Sequence, residues 1–148
     1  MSTLKIRAAT PSDIDIVVEL GIEGLENDPY ENMVIDKAKV RAIAMECISS
    51  STNFCWVAEE DGVVVAAVSA LVFDFMFFER KQCNVIQFWT RRSGAGVMLL
   101  REFLKWARKR RIIKMICFTL ECNVDPRIGK LLTRLGLKTE LPIFAEHR

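Results

Sequence analysis

The residues best suited to chemistry form one short segment rich in arginine and glycine, which lies between an apolar and an amphipathic stretch. The apolar stretch predicts a strand and the amphipathic stretch predicts a helix. A helix start carries unpaired backbone N–H groups and a partial positive charge, and glycine lets a backbone approach a phosphate closely. The segment therefore predicts an anion-binding loop, with an ordinary strand-to-helix turn as the alternative. Its residues are Arg91, Arg92, Ser93, Gly94, Ala95 and Gly96.

Other signatures of cofactor chemistry are missing from the sequence. The Walker spacing G-x-x-x-x-G-K-[ST] is absent, and the dinucleotide motif G-x-G-x-x-G fails because position 99 is Leu. The five cysteines include no C-x-x-C pair and the only histidine is His147, so no metal site is predicted. The odd number of cysteines favours free thiols in a reducing cytosol, and no apolar leader is visible, so we expect a cytoplasmic protein.

Composition limits the remaining classes of function. The 148 residues are 51% hydrophobic and 27% charged, which predicts one folded domain over residues 1–148. The chain has 21 Lys and Arg against 19 Asp and Glu, so its formal net charge is +2. This small charge predicts no nucleic-acid partner. The basic run 105–111 is interpreted as an exposed helix end. The longest apolar run, 63–73, is shorter than the roughly 20 residues that span a membrane, so it predicts a buried strand and no membrane partner.

The hydrophobic pattern predicts the elements that would position the loop. Predicted strands cover residues 4–8, 54–59, 63–73, 83–89, 112–120 and 137–144, and predicted helices start near residues 11, 36, 94 and 125. The order is β-α-α-β-β-β-α-β-α-β, in which a three-strand meander is followed by a β-α-β crossover. This order predicts an α/β protein with a mixed sheet and helices on both faces.

The spacing Arg91-x-x-Gly94-x-Gly96 resembles the acetyl-coenzyme A loop, R/Q-x-x-G-x-G/A, of GNAT-type N-acetyltransferases. Residues 6–13 resemble the opening strand and first helix start of that family. Residues 125–137 resemble its closing helix, usually written N-x-x-A-x-x-x-Y-x-x-x-G-F, and the element order matches as well. The resemblance covers nearly the whole chain, and it implies a GNAT-like fold with acetyl-coenzyme A as co-substrate.

The resemblance also implies roles for individual residues. The pantetheine arm would enter a V-shaped opening between the fourth and fifth strands, where it would pair with the backbone of Val85, Ile86 and Gln87. One of those N–H groups would polarise the thioester carbonyl. The pyrophosphate would bind the loop 91–96, and Asn123, near the start of the closing helix, is a further candidate cofactor contact. The implied reaction is direct attack of a small-molecule or peptide amine on the acetyl group in a ternary complex.

The resemblance does not extend to the residue that would act as the general acid, and it leaves the general base open. The motif places Leu132 where the family has its tyrosine acid. The candidate bases are Glu79, at the turn after the third strand, and Glu121, at the end of the fifth strand, for which a solvated strand end is the alternative. Gln87 can orient a substrate but cannot accept a proton. Tyr30, the sole tyrosine, lies between the first two helices and is a candidate acceptor contact, with surface packing as the alternative.

Two functional hypotheses therefore stand. The first is an active acetyltransferase, and the second is a catalytically degenerate GNAT-fold protein that serves as a structural or partner-binding module. The Phe-rich stretch 73–78 and the short tail after Gly136 further predict a homodimer. Strand alternation would place Phe73, Phe75 and Phe77 on one face of the third strand.

Overall fold

The computed structural model describes residues 3–26, 33–119, 126–139 and 146. Its helices and strands follow the predicted order, which confirms the α/β class with a mixed sheet. They are β1 (Leu4–Ala8), α1 (Ile14–Glu26), α2 (Lys37–Ser49), β2 (Phe54–Glu60), β3 (Val63–Asp74), β4 (Lys81–Thr90), α3 (Ala95–Lys109), β5 (Ile113–Phe118) and α4 (Pro126–Arg134). The prediction of a last strand at 137–144 is wrong for 137–139, which are irregular, and its remainder lies outside the described residues.

The five strands form one sheet in the order β1-β2-β3-β4-β5. Neighbours from β1 to β4 are antiparallel, whereas α3 carries the chain across so that β5 pairs parallel to β4. One apolar cluster packs α3 against the sheet, and a second packs α1 and α2 against the opposite face. The centre of β3, residues 66–70, is buried, as its apolar run predicts. In the described ranges, no helix is long and apolar enough to cross a membrane.

The start of α1 is fixed to the sheet by a buried carboxylate. Asp13 accepts hydrogen bonds from the backbone N–H of Thr10 at 2.8 Å and from the guanidinium of Arg7 at 2.8 and 3.0 Å. Arg7 also donates to Glu59 on β2 at 3.2 Å. The Arg7 hydrogen bond, together with the bonds from Thr10, lowers the pKa of Asp13 to about 2 against the penalty of burial. This network joins β1, β2 and α1.

We expect Asp13→Asn to remove a pH-dependent part of the stability. The folded-state pKa of Asp13 is depressed from 3.8 to about 2, so its contribution is present above pH 4 and is lost as the pH falls through 2. The wild type should lose about 1–2 kcal/mol of unfolding free energy between pH 5 and pH 2 through this group. Urea denaturation at pH 5, 3 and 2 measures it. An equal loss in Asp13→Asn would show that other carboxylates carry the effect.

Residues 75–78 of the Phe-rich stretch form a hairpin turn rather than a continuation of β3. β3 ends at Asp74, and the rings of Phe75 and Phe78 stack with centroids 5.6 Å apart under the guanidinium of Arg80, which lies 4.6 Å from the Phe75 centroid. The predicted alternation of Phe73, Phe75 and Phe77 is therefore wrong, because the chain leaves the extended conformation after Asp74. Phe77 is 93% exposed at the tip of this turn.

Candidate active site

The strands β4 and β5 pair over only part of their length. Their last paired residues are Val85 and Phe118, but β4 continues to Thr90. Among the described residues, the end of β4 therefore has no strand beside it on the β5 side. The two strands part at this point, and the backbone of β4 borders a cleft of about 1260 Å³.

A β-bulge shapes the wall of this cleft. Ser69 on β3 opposes Gln87, and the next residue, Ala70, opposes Val85, so Ile86 is the extra residue. The bulge reverses the faces of the strand: Val85 packs with the α3 cluster, whereas Gln87 reaches α1. In a regular strand, the two side chains would share a face. Ile86 itself is 44% exposed and lines the cleft.

Gln87 bridges α1 and the sheet. Its Nε2 donates to the backbone oxygen of Val17 at 3.0 Å, and its Oε1 accepts from the hydroxyl of Ser69 at 3.2 Å. Gly21 of α1 lies directly over the amide, because a Cβ there would sit 3.4 Å from Gln87 Cδ. Both ends of the amide are thus engaged by the protein. Gln87 holds the distance between α1 and β4, and its predicted role in orienting a substrate stays a prediction.

The two glycines of the loop have separate structural reasons. Gly94 is the N-cap of α3 with φ +88°, a left-handed conformation that side chains strain. Gly96 lies against β4, where a Cβ would come within 2.7 Å of Phe88 Cζ. The first i to i−4 bond of α3 runs from Met98 N to Gly94 O at 3.3 Å. The N–H groups of Gly96 and Val97 precede that bond and have no acceptor within the helix.

The arginines of the loop are held by carboxylates. Arg91 donates to Glu19 at 2.9 Å and to Glu23 at 2.6 Å on α1, while its backbone N–H donates to Val65 O at 2.8 Å. Arg91 and, to a smaller degree, the Trp89 side chain lower the pKa of Glu23. Arg92 donates to Glu60 at 2.9 Å. These pairs fix the loop to α1 and β2, so the backbone N–H groups at the start of α3 are its most direct anion donors.

The opposite wall of the cleft comes from β5 and α4. Leu131 lines the cleft, whereas Leu132 is buried at 7% exposure and is not part of the lining. The sequence motif, counted back from Gly136, places Leu132 in the tyrosine position. In the structure the neighbouring Leu131 is the leucine that lines the cleft, because successive helix residues are rotated by about 100°.

The charged residues of the described lining are all arginines, and no Asp, Glu, His, Tyr, Cys or Lys belongs to it. The described lining therefore supplies no carboxylate base, and its loop arginines are compensated by the carboxylates just outside it. No group of His, Cys, Asp or Glu in those ranges could hold a metal ion. Three predicted residues, Tyr30, Glu121 and Asn123, lie outside the described residues. The arginines of the lining are Arg91, Arg92, Arg127 and Arg134.

Sequence reasoning missed the part of the cleft formed by α1 and α2. Gly21 and Gly24 of α1 face β4, where a Cβ at Gly24 would lie 3.6 Å from Trp89. The i, i+3 spacing of these glycines is the one available signal, since it allows close approach of a helix on one face. Nothing in the periodicity of α2 indicates that Ile43 faces an opening rather than the core.

Comparison with known proteins gives one family and many structures of the same fold. The model of the acetyltransferase (GNAT) family matches residues 21–128. No curated protein matches the chain. A predicted acetyltransferase from Clostridium acetobutylicum, solved with acetyl-CoA, superposes with a TM-score of 0.76 at 16% identity, over 99% of this chain and 96% of that one. An aminoglycoside N-acetyltransferase in complex with CoA gives 0.72 at 16% identity, over 100% and 97% of the two chains. An aminoglycoside acetyltransferase from an uncultured soil metagenomic sample gives 0.67 at 17% identity, over 99% of each.

Proposed function

Because the chain belongs to the GNAT family of acetyltransferases, we propose that it transfers an acetyl group from acetyl-coenzyme A to an amine by direct attack. The observation that carries this proposal is the parting of β4 and β5 after Val85 and Phe118, next to the first turn of α3. The similarity to solved acetyltransferases extends over 99% of the chain, which supports one domain over residues 1–148.

The residues at the start of α3 fit a pyrophosphate. The N–H groups of Gly96 and Val97 have no acceptor in the helix, and the helix dipole favours an anion there. The left-handed Gly94 turns the chain into this first turn. We propose that the loop 91–96 binds the pyrophosphate through these N–H groups.

The open edge of β4 fits the pantetheine arm and the thioester. Backbone groups beyond Val85 border the cleft without a β5 partner among the described residues, so they are available to an extended ligand. Acetyl-coenzyme A supplies an acetyl group activated as a thioester. A backbone N–H in the segment Val85–Gln87 would donate to the carbonyl oxygen and stabilise the negative charge that develops there. The bulge at Ile86 aims this segment at the opening.

The residues that line the cleft also affect whether the acceptor amine is protonated. An amine attacks only when it is neutral, and an apolar cleft disfavours its ammonium form. The apolar part of the described lining would favour the neutral amine through desolvation, because the charges of Arg91 and Arg92 are compensated by their carboxylate partners. Glu121 stays our candidate for a base at the end of the fifth strand, and Asn123 stays a candidate cofactor contact. A thiol of pKa about 8.5 leaves tolerably well as the anion near neutral pH.

Calorimetric titration with acetyl-coenzyme A and with coenzyme A tests the cofactor part of the proposal, and thiol release over a panel of amines tests the transfer. We expect saturable binding of both nucleotides and thiol release that depends on the amine. Absence of binding would contradict the proposed site.

A second candidate function is a binding module that has lost catalysis. It is favoured by Leu132 in the motif's tyrosine position, by the apolar Leu131 that lines the cleft beside it, and by the lack of a carboxylate in the described lining. Tight binding of acetyl-coenzyme A without thiol release from any amine would favour this module over the enzyme.

We also propose a homodimer formed through the β3–β4 turn, which exposes three large apolar side chains: Met76 (80%), Phe77 (93%) and Phe78 (62%). Phe77→Ser is expected to convert a dimer into a monomer, because it removes the most exposed ring from the patch. Val34→Ser is the matched control, since Val34 is 96% exposed on a different part of the surface. Light scattering measures the mass of each. A wild-type monomer at high concentration would contradict the dimer.

A further inference from the structure

The cleft is lined by elements from both faces of the sheet, and its two parts differ in chemistry. The part on the α3 face holds the helix start and is suited to phosphates. The part on the α1 and α2 face is walled by aliphatic side chains: Leu25 and Ile43 are each 44% exposed, and Val40 and Leu71 are half-buried beside them. Several apolar side chains that face one opening instead of the core are typical of a site for an apolar ligand.

The polar groups of this second part are already occupied by the protein. Ser69 and Gln87 hydrogen-bond to each other, and Gln87 donates to the backbone of Val17. The nearest acidic side chains on α1, Glu19 and Glu23, form ion pairs with Arg91 and do not line the cleft. In the described ranges, a second ammonium group on an acceptor would therefore meet no carboxylate in the lining.

We infer that the acceptor is a monoamine with an apolar body, rather than a polycation such as an aminoglycoside. This inference rests on the proposed acetyl transfer. The amine would reach the thioester beside Ile86, and the apolar body would lie on Leu25, Val40 and Ile43. The apolar wall would desolvate any further cation on the acceptor, and the described lining has no carboxylate to compensate that cost.

The step balances without a further reactant. The nitrogen of the neutral amine forms a bond to the acetyl carbon, and the carbon–sulfur bond of the thioester breaks. Sulfur leaves with the electron pair as the coenzyme A thiolate, and the proton lost by nitrogen passes to solvent. The products are an N-acetylated amide with an apolar body and free coenzyme A.

The first experiment compares acceptors on the full chain at saturating acetyl-coenzyme A. Thiol release is measured with 2-phenylethylamine, spermidine and kanamycin. We expect kcat/KM to be at least about 10-fold higher for 2-phenylethylamine than for either polycation, because an apolar pocket distinguishes ligands by their buried area. Thiol release with spermidine or kanamycin as the preferred acceptor would overturn the inference while leaving acetyl transfer intact.

The second experiment adds a carboxylate to the apolar wall. Ile43→Asp, at an exposed position of α2, is expected to lower kcat/KM for 2-phenylethylamine about 10-fold and to raise it for spermidine. Ile112→Asp is the matched control: Ile112 is 60% exposed, lies just before β5 and is not part of the lining, so both values should stay unchanged. An unchanged preference in Ile43→Asp would overturn the inference.

Binding distinguishes the inference from the proposed function where no amine releases thiol. Calorimetry of 2-phenylethylamine with the coenzyme A-loaded protein then decides. The apolar site would be supported if Ile43→Asp weakens this binding and Ile112→Asp does not. The proposal of acetyl transfer would then be wrong, but the inferred ligand class would stand. Absence of binding would overturn the apolar site.

Discussion

Replacing Gly94 with valine is expected to weaken acetyl-coenzyme A binding about 100-fold, a loss of about 3 kcal/mol. Gly94 has φ +88°, which a β-branched side chain adopts only under strain, so the loop must change conformation. The change would move the first-turn N–H groups of Gly96 and Val97 away from the pyrophosphate. Two hydrogen bonds to a charged group, each worth about 1.5–3 kcal/mol, account for the effect. Calorimetric titration of wild type and variant measures it.

Gly62→Val is the matched control for this prediction. Gly62 has φ +82° in the β2–β3 turn, and a Cβ at either glycine would meet nothing within 4 Å. The two substitutions therefore impose similar backbone strain, about 1–3 kcal/mol, at two different places. Gly62→Val should lose stability but keep the affinity of the wild type. A folded Gly94→Val protein that binds acetyl-coenzyme A normally would show that the cofactor does not use this helix start.

The elements that follow local rules could be predicted from the sequence. α2 begins after Asp36, whose carboxylate accepts from the Lys39 N–H at 3.1 Å, as an acidic N-cap should. The turn at Asp61 and Gly62 has the positive φ angles that this pair favours. Gly136, with φ +96°, ends α4 where the sequence predicts it. In each case, one or two residues adjacent in the sequence determine the local structure.

Features that depend on distant partners could not be predicted. The end of β3 follows from the stacked turn 75–80 and from the ion pair between Asp74 and Lys81 at 2.7 Å, neither of which strand periodicity encodes. The bulge at Ile86 depends on the register of β4 against β3. Arg91 was expected to face an anion, but its guanidinium pairs with Glu23, 68 positions earlier in the chain. The position of the loop in the chain could therefore be predicted from the sequence, whereas the contacts of its arginine side chains could not.

The face of α4 that borders the cleft is another feature that the sequence motif did not predict, and it affects which substitution could add an acid. A motif counted back from Gly136 places Leu132 in the tyrosine position, but Leu131 is the leucine that lines the cleft. Counting along a helix fixes a position to within one residue, and one residue changes the face by about 100°. Both side chains are apolar, so neither can protonate a leaving thiolate. The difference decides which substitution could add an acid.

Leu131→Tyr is expected to raise thiol release by about 10- to 100-fold near neutral pH. General acid–base help is typically worth about 10²- to 10⁴-fold, and a tyrosine placed without optimisation should deliver the lower part of that range. Its hydroxyl would enter the cleft that holds the open edge of β4. Leu132→Tyr is the matched control: Leu132 is only 7% exposed, so a larger side chain there should cost about 1–3 kcal/mol of stability and add no activity.

The pH dependence of thiol release separates an added acid from a general improvement in binding. In the wild type, the rate should rise with pH as the amine loses its proton and then level off, because the described lining contains no group that must stay protonated. In Leu131→Tyr, the rate should fall again near pH 10, where a tyrosine loses its proton. A falling limb in the wild type would mean that another residue, such as Tyr30, supplies the proton. A gain in Leu132→Tyr instead of Leu131→Tyr would mean that the motif, and not the structure, gives the correct register of α4.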